Sequence, residues 1–172
     1  MATNWALPSS IEQYSEEQAE NIHISWAGDF NNLTRSLGRS IKTSKDLVHI
    51  ARDPRHDVVD KTYYLRVTNF NFNYIPDEIS GIEVRLSTNR YGRITDDTIQ
   101  LCLANELVGD NQSTLDLDPI KLYGGEDVLW NATLSRADIQ NSSFGLTLRF
   151  KSHPKWPHKC SMLISAIEIR VH

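Results

Sequence analysis

Three groups of residues in this 172-residue chain have side chains that could do chemistry, and two of them are aspartate pairs. Asp96 and Asp97 are adjacent, so on a strand they would point to opposite faces and could not converge on a substrate as acid and base. A turn is therefore the expected role of this pair. Asp116 and Asp118 share a face and could help to hold calcium. However, a hard cation needs six or more oxygen ligands, and no organised loop supplies them.

The third group is the segment "SHPKWPHKC", in which His153, His158 and Cys160 flank Trp156. Structural zinc usually requires four ligands in close pairs, and the spacing here is irregular, which favours a proline-stiffened hairpin loop. Cys102 and Cys160 are then interpreted as buried thiols. Glycine-rich phosphate loops, GxSxG and HExxH are also missing from the sequence. We therefore expect no metal, no cofactor and no enzymatic activity.

Composition sets the class of protein. At 40% hydrophobic content the chain has about one domain's worth of residues and is expected to bury roughly 70% of its unfolded surface. The formal net charge of -4 gives no reason to expect nucleic acid as the main partner, because that affinity depends on clustered Lys and Arg. No apolar run approaches the roughly 20 residues of a membrane span, and "MATNWALPSS" lacks the features of a signal peptide. We expect a soluble protein with no membrane partner.

From residue 61 onward, apolar residues recur with a period of two, as in strands with one buried face. In "GIEVRLSTN" the alternation places Ile82, Val84 and Leu86 on one face. A change of parity near Thr68 and Asn69 predicts a bulge or bend. Regularly spaced strands without long interleaved helices predict an all-β fold, an antiparallel β-sandwich of jelly-roll-like type over residues 61–172.

The stretch "YGGEDVLWNATLSRADIQNSSFGLTLRF" combines several local signals. A glycine pair predicts a tight turn or a close chain approach, and the following tryptophan predicts a large core side chain. Ser135 resembles an N-cap with Asp138 three residues later, which predicts one short helix near residues 135–140. An alternating strand then starts at a phenylalanine. The predicted structural residues are Gly124, Gly125, Trp130 and Phe144.

The first sixty residues differ, because their apolar residues are sparse and irregular. Leu33, Leu37 and Ile41 recur every fourth residue, which fits a weak helix, but an extended conformation over residues 31–55 fits equally well. We expect an N-terminal arm or docking segment over residues 1–60. Its basic residues fit either a solvated face or docking onto an acidic neighbouring subunit. The candidate docking residues are Trp5, Arg35, Arg39 and Lys42.

The series "VTNFNFNYIPDEISGIEVRL", "ITDDTIQL", "GDN", "YGGEDVLW", "LSRADIQNSSFGLTLRF" and "ISAIEIRVH" resembles a β-sandwich module of tailed-bacteriophage virion proteins and related prophage genes. The resemblance spans Trp5–Pro8 and roughly residues 64–172. The chain departs from the pattern at Asn131, where glycine commonly follows the tryptophan, and in a longer segment between about 27 and 60. The resemblance implies a structural or interaction role, with the longer segment giving this member its particular docking.

Two functional classes follow from these observations. The first is a virion structural protein, in a capsid decoration, neck, collar or tail position. It would be made in the host cytoplasm and would bind other virion proteins as a homo-oligomer in a symmetric particle. The second is a carbohydrate-binding module for host-surface glycans, in which Trp26 and Trp156 would contact sugar rings.

Overall fold

A computed structural model describes residues 1–15, 23–35, 38–47, 49–51, 57–153 and 158–172, except for the side chains of 49–51, 57 and 58. Within this part of the chain a short 3-10 helix spans Phe30–Leu33 and helix α1 spans Arg136–Gln140. The strands are β1 (Pro8–Tyr14), β2 (His23–Ile24), β3 (Trp26–Ala27), β4 (Ile41–Thr43), β5 (His49–Ala51), β6 (Asp57–Val59), β7 (Lys61–Thr62), β8 (Tyr64–Phe70), β9 (Ile82–Tyr91), β10 (Ile94–Leu103), β11 (Glu106–Val108), β12 (Ile120–Gly124), β13 (Gly145–Ser152) and β14 (Ser161–Val171).

These strands form two sheets packed face to face. The five-stranded sheet has the order β12-β9-β14-β4-β3, and the seven-stranded sheet has the order β1-β8-β13-β10-β11 with β7 and β2 joined beside β13. All pairings in both sheets are antiparallel except β2 with β7, which is parallel. Strands β5 and β6 form a separate hairpin. The predicted all-β antiparallel sandwich with one short helix is confirmed.

The core lies between the two sheets and follows the predicted alternation. Ile82, Val84 and Leu86 of β9 are fully buried, while the residues between them are only partly buried. The last strand, β14, repeats this pattern with Ile167, Ile169 and Val171 on the inner face. Apolar burial of this kind is the main favourable term in folding, and it fixes which face each strand presents to solvent.

The short helix forms for the reason that the sequence predicts. The Ser135 hydroxyl accepts a hydrogen bond from the backbone N–H of Asp138, and the Asp138 carboxylate accepts one from the backbone N–H of Ser135. This reciprocal capping satisfies two amide groups that a helix start would leave unpaired. The predicted bend near Thr68 also occurs, since Asn69 has a φ of 57° within β8.

The N-terminal segment differs from the predicted arm. Ala6 pairs with Ile169 of the last strand, and β1 then pairs with β8 in the other sheet. Further along, β4 pairs with β14 in the five-stranded sheet. The buried residues of this segment include Ala6, Ile24, Trp26, Leu33, Ile41 and Leu47. In its described part, therefore, the segment belongs to both sheets and to one core, and the predicted boundary at residue 60 does not separate it from the sandwich.

The helix considered for residues 31–55 is replaced in the described residues by the 3-10 turn and by short strands. Leu33 and Ile41 are both fully buried, but they reach the core from different elements, while Leu37 lies outside the described residues. Strand β4 pairs with β14 on one side and with β3 on the other, so its backbone groups find partners in the sheet, whereas the helix propensity of this segment is weak.

The turn after β12 depends on one of its two glycines. Gly124 has a φ of 74°, and a Cβ there would collide with the carbonyl oxygen of Ile82 and with Nε1 of Trp130. Trp130 is 1% exposed, and its Nε1 donates a hydrogen bond of 2.8 Å to the same Ile82 carbonyl. Phe144 is 1% exposed and belongs to the same core cluster. Trp130 and Phe144 are core residues as predicted, and Gly124 carries the conformational requirement of the turn.

Gly125 and Asn131 have less strict requirements. A Cβ on Gly125 would meet only Val128 Cγ2 at 3.6 Å, an ordinary contact. Asn131 has a φ of 54°. This left-handed region favours glycine, but asparagine tolerates it better than most residues, so Asn131 is compatible with this turn.

We expect Gly124→Ala to lower the free energy of unfolding by about 2–5 kcal/mol, because it adds backbone strain and a steric collision. Gly125→Ala, one residue away, is the matched control and should change stability little, because its φ is ordinary and the space is open. Urea denaturation followed by tryptophan fluorescence measures both. Equal losses in the two variants would contradict this account of the turn.

Candidate interaction surface

A buried ion cluster joins the two sheets and determines how the edge of the five-stranded sheet is oriented. Asp96 lies on β10, and its Oδ1 accepts a hydrogen bond from Arg90 Nη2 at 3.1 Å. Its Oδ2 accepts hydrogen bonds from Lys121 Nζ at 2.6 Å, Tyr123 OH at 2.8 Å and the backbone N–H of Thr114 at 3.1 Å. The side chains of Asp96, Arg90 and Lys121 are 0%, 3% and 6% exposed. The carboxylate is thus fully paired and enclosed.

The environment of Tyr123 reflects the same enclosure. Burial, and next the nearby charge of Asp96, raise the pKa of the Tyr123 hydroxyl well above its usual range. The phenol is therefore a hydrogen-bond donor to Asp96 across the whole range in which proteins are folded. This contact holds the ring, like the Lys121 ammonium group, on the inner face of β12.

Asp97 forms a second set of ion pairs on the opposite face of β10. Arg149 Nε donates to its carboxylate at 2.6 Å, and the ammonium groups of Lys61 and Lys151 lie 3.3 and 3.5 Å away. Burial alone would raise the pKa of Asp97, but these three cations outweigh it and the pKa lies below its ordinary value.

The predicted turn role of Asp96 and Asp97 is wrong. Both residues lie within strand β10, next to a register shift between Asp96 and Thr98, and they point to opposite faces as adjacent strand residues must. Cations from distant parts of the chain neutralise the two charges, so the pair needs no solvent-exposed turn. Both carboxylates are accounted for by pairing within the chain.

The other chemically suggestive residues form no metal site in the described part of the chain, where no group of three or more His, Cys, Asp or Glu side chains could hold an ion. Cys102 and Cys160 are buried free thiols, as predicted. Burial, and next the charges of Asp60 and Asp46, raise the pKa of Cys160 to about 12. Burial also raises the pKa of Cys102. Such thiols are poor nucleophiles and poor metal ligands. Over the same residues, no helix is long and apolar enough to cross a membrane.

Because Lys121 and Tyr123 point inward, the period of two in β12 places Ile120 and Leu122 on the outer face. These two side chains are 64% and 59% exposed. The loop before β12 and the turn after it carry further exposed aliphatic residues. We call this set the β12 strip: Leu115, Leu117, Ile120, Leu122, Val128 and Leu129.

The outer face of the five-stranded sheet continues from the β12 strip as a charged and aromatic surface. The Trp5 ring lies against the guanidinium groups of Arg85 and Arg170, at 4.3 and 4.5 Å from the ring centroid. Arg85 donates two hydrogen bonds to Glu168, at 2.7 and 2.9 Å. These contacts hold the N-terminus on the sheet. The surface is therefore ordered through pairings within the chain.

A shallow depression of about 400 Å³ lies between these features. Arg35 and Leu7 line it on the side of the N-terminal segment, Arg85 and Glu168 form its charged wall, and Ile120 contributes the apolar part. The depression therefore connects the β12 strip to the charged part of the outer face.

The structure brings some of the predicted docking residues to this surface. Trp5 and Arg35 lie on it, and Lys42 is exposed on β4 between the buried residues Ile41 and Thr43, so it faces outward from the same sheet. Arg39 is exposed in the segment before β4. Since this segment is not a helix, the basic residues do not form the stripe that their spacing indicated.

The two candidate glycan contacts have different outcomes. Trp26 is 3% exposed, donates a hydrogen bond to the Tyr63 carbonyl at 3.0 Å and packs edge-on against Phe150. A side chain in this position cannot present a flat face to a sugar. Trp156 lies outside the described residues.

The sequence pattern did not identify Arg90, Lys121 and Tyr123 as partners of Asp96 in a buried ion cluster. The segment "PIKLY" has apolar side chains at both parities, so its pattern did not indicate which set faces inward. The weak signal available was the combination of one lysine in a short apolar strand with aspartates in another strand.

No protein-family model matches the chain, and no curated protein matches it. A match among solved structures is the Glycosylation Associate Protein (Gap123) complex from Streptococcus agalactiae, with 14% identity and a TM-score of 0.35. The alignment covers 99% of this chain and 26% of that chain. A similarity at this level carries no inference about function.

We expect Asp96→Asn to lower the free energy of unfolding by about 3–5 kcal/mol, because it leaves two buried cations without their anion. Asp77→Asn is the control. Asp77 pairs with Arg136 at the surface, where the two side chains are 84% and 43% exposed, and its loss should change stability little. Urea denaturation at neutral pH measures both. A similar effect of the two variants would show that the cluster does not hold the sheets together.

The lowered pKa of Asp97 predicts a specific pH dependence. The ionised group stabilises the fold above its unfolded pKa of about 3.9, and this stabilisation is lost as the pH falls through the lower, folded pKa. The difference in stability between the natural chain and Asp97→Asn should therefore be constant down to about pH 5 and shrink below about pH 4. Urea titrations over this range measure it. A difference that grows on acidification would have the wrong sign.

Proposed function

We propose that this chain is a non-enzymatic structural protein of a tailed-bacteriophage virion, in a capsid decoration, neck, collar or tail position. It binds other virion subunits and is made in the host cytoplasm. The resemblance in sequence supports the virion context. The exposed β12 strip is the observation that supports an assembly role.

The strip supports assembly because a folded domain normally covers large aliphatic side chains when it can. Ile120 and Leu122 are turned to solvent as a direct consequence of the inward contacts of Lys121 and Tyr123. Several large aliphatic side chains that are exposed along one strand and its flanking loops are typical of a protein–protein contact site.

The surroundings of the strip also fit a subunit interface. Such interfaces combine an apolar centre with a polar rim enriched in arginine and aromatic residues. Here Trp5, Arg35 and Arg85 lie on the same outer face, and Lys42 projects from it. These residues would supply the rim contacts to neighbouring virion proteins.

The carbohydrate-binding alternative has less support. Trp26 is buried, so it cannot supply the tryptophan platform that was assigned to it. The aspartates best suited to chemistry are occupied by ion pairs within the chain, which supports a role without catalysis.

The proposal predicts that the chain is a component of intact particles. Particles from the phage or prophage that encodes it should be purified on a density gradient and analysed by mass spectrometry. We expect the chain in the particle fraction in a fixed ratio to the other structural proteins. An abundant host cytoplasmic protein is the control for trapped material. If the chain stays in the soluble lysate and behaves like that control, the virion role is wrong.

A further inference from the structure

Strand β12 is an edge strand in the described part of the chain, where it pairs with β9 and with no other strand. In an antiparallel pair, residues alternate between those that bond to the partner strand and those that face away. The flanking hydrogen bonds, Thr88 N–H to the Pro119 carbonyl and Gly125 N–H to the Ile82 carbonyl, fix this alternation. The backbone groups of Lys121 and Tyr123 therefore bond to β9, and those of Ile120 and Leu122 face the open edge.

Between Ile120 and Gly124 this edge lacks the usual protection against pairing with another chain, and the nearest proline, Pro119, has its carbonyl turned to β9. Natural edge strands carry outward charges, prolines or bulges that prevent contact between sheets. The single charged side chain of β12, Lys121, is turned inward to Asp96. No backbone hydrogen bond from the described residues outside the β9 pair reaches Ile120 or Leu122. Among the described residues, therefore, the outward N–H and C=O groups of Ile120 and Leu122 have no backbone partner and lie beside exposed aliphatic side chains, which fits a strand as the partner of this edge.

We propose that β12 pairs antiparallel with β12 of a second copy of this chain. The two-fold axis passes at Lys121, so that Ile120 of each copy lies opposite Leu122 of the other. In this register both residues exchange backbone hydrogen bonds with their counterparts, and the two five-stranded sheets become one continuous sheet. The inference rests on the proposed assembly function, and it names the partner of the β12 edge.

A second copy fits because the edge is self-complementary. An interface with two-fold symmetry needs a patch that matches itself, and apolar residues opposite apolar residues meet that condition. From its exposed fractions, the β12 strip offers an apolar area on the order of 500 Å² per chain. Pairing at the edge covers only the part of this area that lies beside the strand, so two copies would bury less than about 1,000 Å², below the size of a standard specific interface. The dimer should therefore be weak, with a dissociation constant on the order of 1 μM or higher.

The charges around the strand predict how this dimer responds to salt. Asp116 and Asp118 precede β12, and Glu126 and Asp127 follow it, all of them exposed. In the proposed register acidic residues of one copy approach those of the other. Screening of this repulsion should make the association tighter as the ionic strength rises.

The test is sedimentation equilibrium of the full chain over a range of concentrations, at low and at high salt. We expect a monomer–dimer equilibrium that Leu122→Glu weakens by at least about tenfold, since it places two carboxylates in the apolar contact. Leu107→Glu is the matched control, because Leu107 is also an exposed leucine on an edge strand, β11, in the other sheet. It should leave the equilibrium unchanged. Circular dichroism verifies that both variants are folded.

Hydrogen exchange of the natural chain gives an independent readout, in which the amides of Ile120 and Leu122 should become more protected as the concentration rises. A chain that stays monomeric throughout, or a dimer weakened equally by Leu107→Glu and Leu122→Glu, would overturn the proposed contact. Neither outcome bears on whether the chain is found in purified particles, so the two proposals fail separately.

Discussion

The carboxylate of Asp96 is the constraint on which the arrangement of the other parts depends. It lies on the inner face of the seven-stranded sheet, and its charge is neutralised by Arg90 and Lys121, which both reach it from the five-stranded sheet. A buried carboxylate is costly unless its oxygens are paired, and Lys121 pairs with Oδ2 by pointing inward while Arg90 pairs with Oδ1. Because side chains alternate along a strand, this single requirement determines both faces of β12. The interior of the sandwich thereby decides which residues are available at its surface.

A buried ion cluster of this kind is a weak source of stability but a strong source of specificity. Apolar residues of similar volume would often stabilise a core to the same degree, because the free-energy cost of removing two charges from water offsets most of their attraction. What the cluster adds is directional: the alternative register of β12, shifted by one residue, would bury Ile120 and Leu122 but would take Lys121 and Tyr123 away from the Asp96 carboxylate. The chain thus keeps an apolar edge in solvent that hydrophobic burial alone would have covered. This explains how a stable fold and an exposed contact surface arise from the same interaction.

The parts of the fold that the sequence predicted are those with a clear local signal. Ile82 to Leu86 and Ile167 to Val171 alternate strictly because each strand has one buried face, and Ser135 with Asp138 forms a cap within four residues. The predictions for the N-terminal segment failed where structure depends on distant partners. Strands of two or three residues, such as β3 and β4, are too short to show a period, and the pairing of Ala6 with Ile169 spans almost the whole chain. The interaction surface was missed for the same reason, since only the contact with Asp96 shows which residues of β12 face outward.

The placement of the N-terminal segment changes how the chain can take part in assembly. A free arm loses conformational entropy when it binds, and this cost reduces the affinity gained per unit of buried area. In the described residues the segment is already held, first beside β14, where Ala6 exchanges backbone hydrogen bonds with Ile169, and then beside β8. Trp5 is fixed between two arginines on the outer sheet face. A partner that contacts Trp5, Arg35 or the β12 strip therefore meets an ordered surface. If the chain has the proposed virion role, the symmetry of the particle would repeat modest contacts on this surface, and assembly would not need an arm that folds on binding.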